Sequence, residues 1–283
     1  MSQSPKMKSL FFETRYGLVR ALKFGHGEQL LIALHGFSDR ARMFAVLEKS
    51  LSERYTIIAI DLPFHGQTEW HISDFSKEDL LEILAQVLES EGKTRWSLLG
   101  FSFGARLAQA MLPELAPQLD HLYLLSPDGL NTKGMRVAER TPMLFRRCFF
   151  RMLRHPEWFV SLAEVGRNWG LIPTFTYTFI RSHLNRPKRI QRLFGCWFSI
   201  DSFNHPRLDV HKILQETAIP TAVFIGAKDN LVHKKSLKKL YSNLPNVHLF
   251  ILKNTGHRVV GKVLAEMLRW EGLQSVKIDV LTD

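Results

Sequence analysis

Ser102 stands between two glycines in Gly100-Phe101-Ser102-Phe103-Gly104. The residues before it, Trp96-Ser97-Leu98-Leu99, read as a buried strand, and Ala105 to Met111 read as a helix. A serine at such a strand-to-helix corner projects its hydroxyl close to a helix N-terminus, where developing negative charge is favoured. Glycine at both flanks permits a turn too tight for side chains. A serine hydroxyl becomes a useful nucleophile when a base removes its proton, and an imidazole titrating near neutrality suits that task. A carboxylate then fixes the imidazole tautomer and stabilises the imidazolium. The attacked carbonyl also needs two N–H groups aimed at its oxygen. The corner supplies one of these, from Phe103. Asp229 and His257 each follow an apolar run, as Ser102 does.

The elements around these residues alternate. Residues 10–14 and 18–24 read as a hairpin turning at Arg15-Tyr16-Gly17. Short apolar runs at 29–34, 56–60, 96–99, 121–125, 221–225 and 247–252 are strand-length and suit burial on both faces. Helical spacing falls at 42–51, 76–90, 105–111, 233–240 and 259–273. Ser76 and Asp79 resemble a capping box, and Pro113 reads as the stop of the helix after Ser102. Strands alternating with helices predict an α/β fold with a mostly parallel sheet and helices on both faces. In such a sheet the loops at the carboxyl ends of the strands share one edge, so Ser102, Asp229 and His257 can meet there. From 130 to 208 the alternation stops, and aromatic and basic helical segments are punctuated by Pro142, Pro156, Pro173 and Pro187. The expected division is a core of 1–129 and 209–283 with a helical cap insertion at 130–208.

Taken together, these loops resemble the α/β-hydrolase family over essentially the whole chain. His35-Gly36-Phe37 is similar to the family's oxyanion-side loop, and Asp61-Leu62-Pro63-Phe64-His65-Gly66-Gln67-Thr68 to its Asp-x-Pro-Gly-His-Gly-x-Ser loop. Phe64 there replaces a glycine and Thr68 a serine. Gly226-Ala227-Lys228-Asp229 and Thr255-Gly256-His257 resemble the acid and base loops, in the family's order of serine, acid, histidine. The resemblance implies Ser102 as nucleophile, His257 as base, Asp229 as acid, and the backbone N–H groups of Phe37 and Phe103 as oxyanion donors. Asp128, just before the insertion, is a second candidate for the acid. His35 and His65 read as loop organisers, and Asp61 as the anchor of its own loop. His26, His71 and His155 lie in polar turns or in the insertion. The rings of Phe37, Phe101 and Phe103 are candidates for an apolar substrate floor, with core packing the alternative for Phe101.

A serine rather than an aspartate at the corner points to acyl chemistry. The expected activity is hydrolysis of a carboxylic ester through an acyl-enzyme, with no cofactor. One alternative is carbon–carbon hydrolysis or a cofactor-pathway reaction on an acidic substrate held by cap arginines. Another is a ligand-binding protein on a hydrolase scaffold. No metal-ligand spacing, phosphate loop or dinucleotide fingerprint is present.

The net charge is +11, and its location is uneven. Between Gly129 and Ile200, 13 Lys or Arg face three Glu, a surplus of ten. Thr141 to Arg154 reads as a basic amphipathic helix, with Phe145, Cys148, Phe149 and Met152 on one face and Arg147, Arg151 and Arg154 on another. Arg186, Lys188, Arg189 and Arg192 form a second basic cluster, interleaved with Leu193 and Phe194. Such arginines can face water, attract an anionic membrane surface, or bind an anionic substrate group. No nucleic-acid-binding module accompanies the charge. Two cysteines, Cys148 and Cys196, make no disulfide framework, and no apolar run reaches spanning length. A cytoplasmic location and a small-molecule ester as partner are the resulting expectations.

Overall fold

The computed structural model describes residues 7–37, 39–127, 157–172, 177–178, 181, 187–203 and 207–263. The chain opens on an antiparallel hairpin, β1 (Lys8–Thr14) and β2 (Gly17–Gly25), in which Thr14 faces Gly17 across the turn. Six strands then run parallel: β3 (Gln29–Leu34), β4 (Tyr55–Ile60), β6 (Trp96–Phe101), β7 (Leu119–Leu125), β8 (Thr221–Gly226) and β9 (Val247–Leu252). A short β5 (Glu69–Trp70) pairs with β2. The order across the sheet is β1-β2-β4-β3-β6-β7-β8-β9, so antiparallel pairing is confined to the β1–β2–β4 side, where β5 also joins β2.

Period-two alternation divides the core. Leu31, Ala33, Ile57, Ala59, Leu99 and Phe224 pack on one face of the sheet. Ile32, Leu34, Ile58, Ile60, Leu98 and Val223 pack on the other. Both faces are dry, which is why these strands read as continuous apolar runs rather than alternating ones.

Helices cover the two faces. The helix expected at 42–51 is a 3-10 helix over Ala41–Leu47, continued by one α turn, α1 (Glu48–Leu51). The physical reason is visible in the packing. Ala41, Phe44 and Leu47 are the buried residues, spaced every third position, which matches three residues per turn. Helix α2 (Lys77–Glu91) carries the expected capping box between Ser76 and Asp79, and Gly92 closes it in the left-handed conformation. Helix α3 (Phe103–Ala110) follows Ser102. Pro113 is not its stop. The helix gives way at Met111, and Pro113 sits in the first turn of α4 (Leu112–Leu115), where its missing N–H leaves no bond unmade.

Between β7 and β8 the described residues contain helices and no strand: α5 (Glu157–Asn168), α6 (Pro187–Ser199), a 3-10 turn over Ile200–Phe203, and α7 (Arg207–Thr217). Helix α8 (Lys234–Tyr241) follows β8. The expected basic helix at 141–154, together with Asp128, Cys148, His155 and Arg186, lies outside the described residues, as do the side chains of Lys188, Arg189 and Leu193. Cys196 is a buried free thiol. Of the closing helix expected at 259–273, the described residues reach a first turn, in which Lys262 N–H donates to the Val259 carbonyl at 2.8 Å. Among the described residues no helix is long and apolar enough to cross a membrane.

Candidate active site

Strand β6 ends at Phe101 and α3 begins at Phe103, leaving Ser102 alone at the corner with φ 52° and ψ −111°. A non-glycine residue in such a conformation costs on the order of 1–3 kcal/mol, so its surroundings must hold it. The Ser102 N–H donates to the Leu125 carbonyl at 2.8 Å, tying the corner to β7. Its own carbonyl accepts from the Ala105 and Arg106 N–H groups at 3.0 and 3.2 Å. The flanking glycines have a steric cause. A Cβ on Gly104 would lie 2.1 Å from the Leu34 carbonyl oxygen, and one on Gly100 would lie 2.5 Å from the Ala105 Cα. Helix α3 therefore sits against β3 and β6 at a distance that only glycine permits.

Three groups meet in series at this corner. Ser102 Oγ lies 2.8 Å from His257 Nε2. His257 Nδ1 lies 2.8 Å from Asp229 Oδ2. The ionised carboxylate can only accept, so Nδ1 carries the imidazole proton and Nε2 is free to accept from the serine hydroxyl. The other Asp229 oxygen, Oδ1, accepts the N–H groups of Leu231 at 2.8 Å and Val232 at 3.3 Å. The carboxylate is fully buried and held from two sides, whereas the His257 side chain keeps 26% of its exposure. Such a series can take a proton from the serine and return it to a leaving group.

The loop after β3 adjoins the corner. A Cβ on Gly36 would lie 3.3 Å from Ser102 Cβ and 3.0 Å from the Phe101 ring. His35 is fully buried behind it. The Leu62 N–H donates to His35 Nε2 at 3.1 Å, so Nδ1–H donates to the Gly36 carbonyl at 2.8 Å. Burial first, and the neighbouring His65 second, push the His35 pKa well below the usual histidine range. His65 packs edge-on against His35, with ring centroids 4.8 Å apart. Its Nε2 lies 2.7 Å from the Phe37 carbonyl and its Nδ1 lies 2.8 Å from the Pro63 carbonyl. Burial lowers its pKa too, against the pull of those two carbonyls. These two histidines join the loop carrying Phe37 to the loop carrying Pro63. Asp61 anchors the second loop: its carboxylate accepts from Ala41 N–H at 2.7 Å, Gln67 N–H at 3.1 Å and Arg20 Nη1 at 2.9 Å.

Of the three phenylalanines, Phe37 is half-buried and Phe103 is buried. Phe101 is buried at 3% exposure, and its ring packs on the His257 ring with centroids 5.5 Å apart. It supports the histidine from below as part of the core face.

Two contacts at the site have no clear signal in the sequence. Ser126 is fully buried at the end of β7, and its Oγ donates to the His257 carbonyl at 2.8 Å. Strand β9, whose following loop carries His257, is three strands from β6, or roughly 14 Å at the usual strand spacing. Ser126, just past the end of the intervening β7, props the loop that reaches back. Its φ of 41° is the only trace, and a dihedral cannot be read from residue type. The second contact is an ion pair between Arg258 and Asp39, which links the loop of His257 to the loop of Phe37. Among the described residues no cluster of His, Cys, Asp and Glu is placed to hold a metal ion.

A strand-to-helix corner bearing a serine, at the carboxyl edge of a mixed sheet of this order, defines an α/β-hydrolase scaffold. The chain belongs to the alpha/beta hydrolase fold family, whose model matches residues 29–260. An uncharacterised protein of Mycobacterium tuberculosis is 26% identical over 88% of this chain and 76% of its own length. Human monoacylglycerol lipase ABHD6 is 22% identical over 83% of this chain and 72% of its own length. The solved naproxen esterase of Bacillus subtilis superposes with a TM-score of 0.62 at 16% identity, covering 94% of this chain and 92% of its own.

Proposed function

We propose that the protein is a serine hydrolase that cleaves a carboxylic ester through an acyl-enzyme, with Ser102, His257 and Asp229 as its catalytic triad. The observation that carries the reading is the unbroken series of two 2.8 Å contacts from Ser102 Oγ to Asp229 Oδ2, built on a strained corner. As Ser102 Oγ attacks the ester carbonyl, its proton passes to His257 Nε2. Asp229 stabilises the imidazolium without itself taking the proton. The backbone N–H groups of Phe37 and Phe103 serve the oxyanion, each such donor contributing about 10²–10³ in rate. His257 then protonates the departing alcohol. Water enters, gives its proton to His257 and releases the acid. The helices between β7 and β8 serve as a cap over this edge, covering the acyl chain.

The test is hydrolysis of p-nitrophenyl esters of increasing acyl length. Wild type turns over, and Ser102→Ala loses at least about 10⁴-fold in kcat while keeping its circular dichroism spectrum. The chain-length optimum sizes the pocket. Activity retained by a folded Ser102→Ala protein would overturn the reading.

A further inference from the structure

Helix α6 is one described element of the insertion that docks on the loops around the site. Its contacts fall on one face, one turn apart. Ser199 Oγ accepts the Phe75 N–H at 2.7 Å. Gly195 faces the Phe64 ring, which a Cβ there would meet at 2.3 Å. Cys196 is buried at 1% exposure. One turn further toward the N-terminus, the same face presents Arg192.

Arg192 has a buried Nε without a hydrogen-bond partner. Among the described residues no ion pair takes it up either. Its charge is nevertheless felt at the site: it acts on both His35 and His65, disfavouring their protonation, and on the Cys196 thiol. A buried donor of a guanidinium normally finds an acceptor, because leaving it unmade costs about 1–3 kcal/mol or more. Here a cation one helical turn from the Gly195–Phe64 contact keeps a buried Nε donor unpaired.

We propose that Arg192 is the binding group for a carboxylate on the substrate, so that the ester cleaved at Ser102 carries a second, ionised acid group. This rests on the hydrolase reading for the bond cleaved, but not for the anion site itself. A carboxylate fits better than a phosphate monoester, which carries nearly two charges. Among the described residues, Arg192 is an arginine whose charge acts on both His35 and His65. One guanidinium matches one carboxylate, in charge and in the geometry of a two-pronged hydrogen bond.

The test compares p-nitrophenyl hemiglutarate with p-nitrophenyl valerate, esters of equal chain length that differ in the terminal carboxylate. Wild type prefers the charged ester by at least tenfold in kcat/KM. In Arg192→Met that ratio falls to about one or below through a rise in KM for the charged ester, and Arg192→Lys restores part of it. A wild-type ratio at or below one, or a ratio unchanged in Arg192→Met, overturns the proposal. A binding arm separates this from the chemistry. Ser102→Ala protein titrated with monoethyl glutarate binds it at least tenfold more tightly than ethyl valerate, and adding Arg192→Lys weakens that preference less than adding Arg192→Met. If wild type hydrolyses neither ester while this Arg192-dependent preference is present, the hydrolase reading falls and the anion site stands. If Ser102→Ala and its Arg192 variants bind both ligands equally, the anion site falls.

Discussion

Ser102, His257 and Asp229 are each held by a group that is not itself reactive. Leu125 carbonyl holds the serine, Ser126 Oγ the histidine loop, and the Leu231 and Val232 N–H groups the carboxylate. The Ser126 contact is the one most open to test. Ser126→Ala deletes a single buried hydrogen bond to a carbonyl, contributing about 0.5–1.5 kcal/mol. The expected outcome on p-nitrophenyl esters is a drop of roughly 3–10-fold in kcat with KM nearly constant, because His257 loses its alignment while the pocket keeps its shape. A drop confined to KM would show that Ser126 shapes the pocket instead. Ser102 was legible in the sequence as the candidate nucleophile because glycine, serine and a strand-to-helix switch are neighbours in the chain. Ser126 was not, because its partner is 131 residues away.

Packing between elements explains why the corner tolerates so little change. Helix α3 approaches β3 closely enough that the Gly104 position has no room for a methyl group, the obstacle being the Leu34 backbone rather than a side chain that could swing aside. Gly104→Ala is therefore expected to cost on the order of 1–3 kcal/mol or more and to abolish most activity by shifting the Phe103 N–H. Thermal denaturation and ester turnover measure the two effects, and wild-type values for both would refute the steric account. Capping at Ser76 was legible because a capping box is a local pattern of two residues three apart. The 3-10 winding at Ala41–Leu47 was not, since apolar residues at 41, 44 and 47 fit either helix type over so short a stretch. The choice lies in how that segment meets the sheet and the Asp61 carboxylate.

The molecule as a whole buries two imidazoles whose protonation is disfavoured by that burial, and this sets a pH dependence for its stability. The His35 and His65 pKa values are both lowered in the folded state by burial. The unfolded chain takes up protons below about pH 6.5 that the folded chain refuses. The stability these groups contribute is therefore fully present above pH 6.5 and is lost as pH falls, by up to about 1.4 kcal/mol per pH unit for each group. Urea denaturation from pH 7 to pH 5 is expected to show this slope. His35→Gln, which keeps an acceptor for the Leu62 N–H, is expected to flatten it by one proton's worth. Identical slopes in the two proteins would remove His35 from the account.

The order of strands along the chain, the parallel sheet with two dry faces, the corner at Ser102 and the anchoring of the Asp61 loop all follow from residue type and short-range spacing. Steric limits at glycine, period-two burial and loop patterns act within a few residues, so they leave their mark in the sequence. Folding set the reach of His257 back across the sheet to Ser102, the placement of Asp229 against its ring, the prop at Ser126 and the unpaired Nε of Arg192. Each of these joins groups 28 or more residues apart, or leaves a buried donor atom unpaired among the described residues. Such relations depend on the paths of loops and the docking of one helix, which no local pattern of residues encodes.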